Sequence, residues 1–308
     1  MIRQGYDQET AVWPEAPGYA FDTTANIIEL ASLLSTDPVG RSVLEDPVVT
    51  RAVLGQMNQL YPSGHSHAMG DTSYARIDSR GAELMLSWAM TSGDIATAQT
   101  LSAALQAEEA SGKYDRGSQT SLVALTRYVS ELPEADAASL KMPATYFAEP
   151  INLVMLRSDS ETGDYRYSLG ATLFGTKGGH MHSNGMAIEL YGAGQVLGFD
   201  SGRGSSYWQP DHNEYYRQAP AHNTVIVNGR SSYPSHGEGT VAMTVETVQP
   251  AFGEEASDPH LTYLTGSFKH PDPAATQQRT LALVRIDETT AFYFDVFRSK
   301  ADDTGTDE

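Results

Sequence analysis

The chain has 308 residues, 40 % of them hydrophobic, no cysteine, and a formal net charge of −19. This length can bury one large core or two modest ones, and the acidic balance argues against a nucleic-acid partner. The lack of thiols excludes disulfides and thiolate metal sites, and no run of about 18 apolar residues offers a membrane span.

The chain opens Met1-Ile2-Arg3-Gln4-Gly5-Tyr6, without the apolar core of a signal peptide. Up to about residue 131 apolar residues recur at three and four. The first expected helix is Thr24–Leu34, with Asp22 or Thr23 as its N-cap. Val48–Leu60, Ala82–Met90, Asp94–Ala110 and Ser118–Leu132 follow, separated by turns such as Tyr61-Pro62-Ser63-Gly64 and Ser92-Gly93-Asp94. Their short connections predict antiparallel neighbours in a layered helical array, with no strict sequence repeat.

Leu132-Pro133-Glu134-Ala135-Asp136-Ala137-Ala138 reads as a linker, and beyond it the period falls to two. Ile151–Arg157, Tyr165–Leu169, Met186–Tyr191, Thr224–Asn228, Val241–Val248, Leu261–Phe268, Gln278–Ile286 and Ala291–Phe297 are expected strands, with Gly192-Ala193-Gly194 turning one hairpin. The expectation is an α+β protein: a helical domain over 1–145 and an antiparallel β domain over 146–308. Any site is expected in the cleft between them. The end Asp302–Glu308 reads as a disordered acidic tail. Both ends look cut, so a fragment is expected.

Gly178-Gly179-His180-Met181-His182 carries two imidazoles, which would share a face on a strand. Asp200 and His222 follow, completing a candidate metal or acid/base cluster. Three motifs then stand in order: Gly179-His180-Met181-His182, Gly198-Phe199-Asp200-Ser201-Gly202, and Tyr215-Tyr216-Arg217-Gln218-Ala219-Pro220-Ala221-His222-Asn223-Thr224. With Ala11-Val12-Trp13-Pro14-Glu15-Ala16-Pro17-Gly18-Tyr19 upstream, the chain resembles the heparinase II/III-like polysaccharide lyases, which include alginate, heparin and ulvan lyases.

That resemblance implies the C-terminal part of an (α/α) toroid followed by a β-sandwich, a periplasmic or secreted location, and an anionic polysaccharide as partner. It implies β-elimination at a 4-linked uronide. Tyr19 would be the acid and a candidate base, while His180 would neutralise the substrate carboxylate or act as the base. The family also uses an Asn or His from an earlier toroid helix, which would lie ahead of Met1. Asn184 stands where relatives often carry an acid.

His182, Asp200 and His222 suit a structural zinc with a fourth position for water. The same three residues also suit a metal-free cluster in which Asp200 accepts from both rings. Tyr207, Trp208, Tyr215, Tyr216 and Arg217 are the expected sugar contacts, since aromatic faces stack on pyranose rings and Arg pairs with carboxylate or sulfate. Lys177 is a further candidate to bind a carboxylate. His65 and His67, in a Pro/Gly loop followed by Asp71, are expected to be solvated, and His212, His236, His260 and His270 to lie at the surface.

Two other functions compete. A cupin-like metal oxidoreductase also begins with His-x-His on a strand, but its glutamate follows within four or five positions, and here the first acid after His182 is Glu189. A non-catalytic carbohydrate-binding module would use the same aromatics without turnover. The polysaccharide and the oligomeric state are not legible in the sequence.

Overall fold

The computed structural model describes residues 4–112, 114–118, 122–136, 140–231, 242–270 and 274–301. His236, the start of the strand expected from Val241, the end of the expected linker and the acidic tail lie outside the described residues. The chain divides into two compact units. Met1–Trp13, Tyr19–Asn58 and Arg76–Met142 form a helical unit, whereas Pro14–Gly18, Gln59–Ala75 and Pro143–Glu308 form a strand-rich one. Two short N-terminal segments therefore belong with the strands.

Proline and aspartate set the helix starts. Helix α1 (Pro17–Leu33) begins at a proline, whose fixed φ suits a first helical turn. Asp22 and Thr23, the expected caps, consequently lie inside it. Helix α2 (Pro38–Leu44), not expected from the apolar period, and α3 (Pro47–Gly55) each follow an Asp-Pro pair. Asp37 accepts from Val39 N at 2.8 Å and Asp46 from Val48 N at 3.1 Å. A 3-10 turn (Gln56–Gln59) extends α3.

Helix α4 (Ser79–Ser92) is capped by Asp78 and stops at Gly93, whose φ is 80°. Helix α5 (Ile95–Ala110) is capped by Asp94, which accepts from Thr97 N at 3.2 Å. Of the helix expected over Ser118–Leu132 the described residues show α6 (Leu122–Thr126), while 119–121 lie outside them. The core of this unit gathers Ile28, Val49, Val53, Leu84, Met85, Leu101 and Leu105. Buried within it, Arg116 grips Glu83 through two bonds of 2.6 and 2.8 Å. Among the described residues no helix is long and apolar enough to cross a membrane.

In the strand-rich unit, β1 (Thr145–Ala148), β2 (Leu153–Ser158), β3 (Leu169–Phe174), β4 (Ile188–Gly192) and β5 (Gln195–Gly198) form one antiparallel sheet in sequence order. A second sheet runs β6 (Thr244–Gln249), β7 (Leu261–His270), β8 (Ala275–Arg285), β9 (Ala291–Ala301). The β4–β5 hairpin turns through Ala193 and Gly194, both at positive φ, as the glycine-rich turn predicts. The strand expected over Tyr165–Leu169 starts only at its last residue. Thr224–Asn228 keeps no more than an isolated bridge between Val227 and Arg230.

Strand β7 alternates outside and inside through Thr262, Leu264, Gly266 and Phe268. One apolar cluster joins the sheets, with Val154, Leu156, Leu173 and Ile188 from the first and Leu264, Phe268, Leu281 and Leu283 from the second. Strands β2 and β3 are buried at every residue because their other face is covered too. The cover is the 59–75 segment: Arg157 donates to Leu60 O, Tyr61 stacks on Tyr191 at 5.4 Å, and His67 packs on Phe174 at 5.7 Å. Gly170 admits the Tyr61 ring, which a Cβ there would meet at 2.8 Å.

Candidate active site

The two histidines of the His180-Met181-His182 motif are not on a strand. They lie in the loop between β3 and β4, where Gly178 has φ 99° and His180 itself has φ 58°. A left-handed residue breaks the alternation of a strand, so the rings part company. His180 Nδ1 meets Glu15 Oε1 at 2.6 Å and its side chain is 33 % exposed. His182 is buried and its Nε2 lies 2.7 Å from Asp71 Oδ1. The strand-borne His-x-His on which a cupin-like function rests is therefore absent.

His212 Nε2 also lies 3.3 Å from Asp71 Oδ1. Burial alone would raise the Asp71 carboxyl, but the His182 hydrogen bond and the charges of His182, His212 and Arg217 hold it below the usual range. Burial pushes His182 down against the pull of the Asp71 bond, in which Nε2 donates to the carboxylate. Its Nδ1 keeps a lone pair, buried and without a hydrogen-bond partner. His222 Nδ1 meets Asp200 Oδ2 at 2.6 Å, which leaves His222 Nε2 likewise buried and unpartnered. The rings of His182 and His222 are 5.5 Å apart.

Behind these pairs, Glu189 of β4 accepts from Tyr61 Oη (2.8 Å), Ala68 N (3.1 Å), Tyr74 Oη (3.1 Å) and Asp200 N (3.2 Å). It ties the loop that carries Asp71 to the loop that carries Asp200. Burial pushes its carboxyl up to about 8, and the charge of Asp200 adds to the push. His67 is fully buried, and desolvation lowers it to about 3.

The three expected zinc ligands are neighbours without forming a three-ligand cluster. Asp200 uses Oδ2 on His222 and Oδ1 on Gly202 N at 2.8 Å. Among the described residues no three His, Asp or Glu side chains group to hold an ion. The buried His182 Nδ1, His222 Nε2 and Asp71 Oδ2 lack hydrogen-bond partners, and nitrogen and carboxylate donors of these types are ones that zinc accepts. Zinc held by His182, Asp200 and His222 would require Asp200 to leave Nδ1 of His222.

The expected substrate contacts divide. Trp208 is 94 % exposed, and Tyr207 is exposed with its ring edge-on to His212 at 4.9 Å and Arg203 above it at 5.9 Å. Tyr216 is half-buried against Gly204, and the exposed Tyr215 packs edge-on to it at 5.6 Å. Arg217 does not face solvent: it is buried, donates to Asn213 Oδ1 at 3.2 Å and lends its charge to Asp71. The Lys177 ammonium is already paired with Glu149. Tyr19 lies half-buried in the first turns of α1.

Several residues here escape the sequence. His212, His270 and His67 are buried rather than at the surface, because packed segments rather than open turns carry them, whereas His260 is exposed as expected. Composition and spacing do not mark Asp71, Glu15 or Glu189 as site members. Each leaves a faint signal: Asp71 follows the His65-Ser66-His67 loop, Glu15 sits four residues before Tyr19, and Glu189 is a lone acid in an apolar strand.

Residues 156–304 match the family "Heparinase II/III-like, C-terminal". An endo-acting ulvan lyase from Formosa agariphila is 32 % identical over 167 residues, which is 51 % of this chain and 20 % of that protein. The crystal structure of heparan sulfate lyase HepC from Pedobacter heparinus matches at TM-score 0.63 and 12 % identity, over 99 % of this chain and 40 % of that one. A heparinase III, the BT4657 gene product, matches at TM-score 0.55 and 11 % identity, over 97 % and 39 %. The chain thus spans a fifth to two fifths of the length of these relatives, and the two structures speak for the fold alone. Over residues 156–304 of its strand-rich unit, the chain is thus similar to the C-terminal domain of the heparinase II/III-like proteins.

Proposed function

We propose that the chain is part of a polysaccharide lyase that cleaves a 4-linked uronic-acid polymer by β-elimination. A base takes the C5 proton, the electron pair of that C–H bond becomes the C4–C5 double bond, the C4–O bond breaks, and an acid protonates the leaving oxygen. Negative charge develops on the neighbouring carboxylate, so it must meet donors there. Tyr19 serves as the acid, and His180 as the base or the carboxylate's partner. The exposed Tyr207 and Trp208 offer faces to a sugar ring. The helices are read as the C-terminal part of an (α/α) toroid, the two sheets as a β-sandwich, and the location as periplasmic or secreted.

One observation carries this function. His180 is a third exposed, whereas His182, His212 and His222 are buried. A substrate can reach the first imidazole, and the others can only support it.

A structural zinc on His182, Asp200 and His222 is proposed alongside, supported by the unpartnered nitrogens of the two imidazoles. When bound, the ion would cross-link their loops. Metal analysis of the purified protein should then find about one zinc, lost in His222→Ala; zinc-free protein of full stability would reject it.

The lyase is tested by following the ultraviolet absorbance of the new conjugated double bond with ulvan, heparan sulfate, alginate, hyaluronan and chondroitin. Ulvan comes first because of the ulvan lyase relative. A rise is expected on at least one polymer, abolished by Tyr19→Phe in a folded protein. Binding without any rise would make this a carbohydrate-binding module. Unchanged turnover in Tyr19→Phe would move the acid elsewhere.

A further inference from the structure

We infer that Arg279, on the second sheet, is a positioning residue for two buried imidazoles: it holds the loop that carries His182 and the segment that carries His222 at a fixed spacing for zinc. The metal arm of this inference rests on the zinc site proposed above; the geometry does not.

Arg279 lies in β8 and is buried. Its Nη1 donates to Met186 O at 2.7 Å and to Asn223 O at 2.6 Å. Met186 stands four residues after His182, and Asn223 follows His222 directly. One nitrogen therefore bridges the two stretches of chain whose imidazole rings are 5.5 Å apart. Nε and Nη2 donate to Asp295 of β9 at 2.8 and 2.7 Å, and the Phe297 ring lies 5.0 Å from the guanidinium. The carboxylate neutralises the buried charge and fixes the plane of the fork.

Both stretches need such a hold. Met186 is left-handed, with φ 60°, a conformation that disfavours a residue with a Cβ and persists where its surroundings over-determine it. The segment after His222 belongs to neither sheet, so side chains secure it. Asn223 Nδ2 donates to Ile188 O and Phe199 O, both at 3.1 Å, and Thr224 Oγ1 to Gly185 O at 2.8 Å. From β8, Gln277 Nε2 donates to Val225 O at 3.1 Å. Gln277 and Arg279 are two positions apart and share the inward face of their strand.

The brace calls for a guanidinium. Two of its N–H groups serve the carboxylate and the two on Nη1 serve the carbonyls. A lysine ammonium offers its donors from a single point and cannot span all three partners. Release of either carbonyl lets the imidazoles drift apart, and metal sites that lose such supporting contacts weaken by about 10–100-fold.

Zinc affinity of Arg279→Lys, measured by competition with a chromogenic chelator where circular dichroism shows the variant folded, tests the brace. A dissociation constant raised about 10–100-fold is expected. A residue that only stabilised the fold would lower the unfolding midpoint and leave this constant alone, so unchanged affinity overturns the inference. Hydrogen exchange read by mass spectrometry needs no metal. In zinc-free Arg279→Lys, peptides covering 182–187 and 221–226 should exchange about tenfold faster than in the wild type, with the helical unit unchanged. Unchanged exchange at either stretch, or equal acceleration everywhere, overturns the inference. Wild-type protein that binds no zinc would end the zinc proposal, and the exchange would then decide the role of Arg279. If Arg279→Lys fails to fold, Asp295→Asn keeps the guanidinium without its charged partner. It should raise the zinc constant at least about threefold, and no change would overturn the inference.

Discussion

Glu189 gives this protein a pH-dependent stability that can be worked out in advance. Unfolded, its carboxyl titrates near 4.5; folded, burial pushes it up to about 8. Between these values the native state holds a proton that the unfolded chain has released. Stability therefore falls as pH rises, by about 1.4 kcal/mol per unit. His67 and His182 act in the opposite sense. Burial lowers both from 6.5, so below that pH the unfolded chain binds protons that the native state refuses, and stability is lost as pH falls. From 6.5 upward the unfolded histidines shed only their remaining protons, a small opposite term that wild type and a Glu189→Gln variant share, so their difference up to pH 8 belongs to Glu189. One and a half pH units correspond to about 2 kcal/mol. Urea unfolding at pH 6.5 and 8, for the wild type and Glu189→Gln, measures it. The wild type should lose about 2 kcal/mol more than the variant across the interval, whatever the variant's own stability. Equal losses would refute the claim that this carboxyl enters the native state protonated.

Other substitutions probe the remaining supports. In Gly70→Ala the new Cβ would stand 2.3 Å from the His180 carbonyl oxygen, at a φ of 78°. A loss of at least about 2 kcal/mol and a sharp drop in turnover are expected; wild-type melting would show that the loop shifts freely. Asp71→Asn removes the anion that His182, His212 and Arg217 share. It should cost about 2 kcal/mol in denaturant unfolding, and an unchanged midpoint would count against that role. In the helical unit, Arg116→Ala leaves Glu83 buried without its charged partner, with only the Tyr114 hydroxyl still donating to it. About 3 kcal/mol should disappear from the unfolding free energy, and a neutral result would mean that Glu83 finds water.

Local rules carry the sequence some distance. The alternation of β7 to β9 and the paired turn Ala193-Gly194 are legible because each depends on neighbours in the chain. Asp78 and Asp94 cap helices whose bodies the apolar period locates within three residues. Helix α1 starts earlier than its period suggests because Pro17 outweighs Asp22 as a beginning. Thr224–Asn228 has the β-branched composition of a strand, yet composition cannot supply a neighbour to pair with. The site is half legible for the same reason. His180, His182, Asp200 and His222 can be named, but not that the histidines face different carboxylates. Glu15 and Asp71 lie more than a hundred residues upstream of their rings, and a two-glycine loop erases the period that would have given direction.

The cover that segment 59–75 lays over β2–β4 has a consequence for folding order. Tyr61 and Glu189 are 128 positions apart, Ala68 and Glu189 121, and Asp71 and His182 111. Closing loops of that length costs entropy before any contact repays it, which delays such pairings relative to the hairpins. A gene piece starting at Pro143 would encode all of β1–β9, yet one sheet would lie bare and the carboxylates that lie beside His180 and His182 would be missing. Excision at the apparent domain boundary would therefore yield strands without a site.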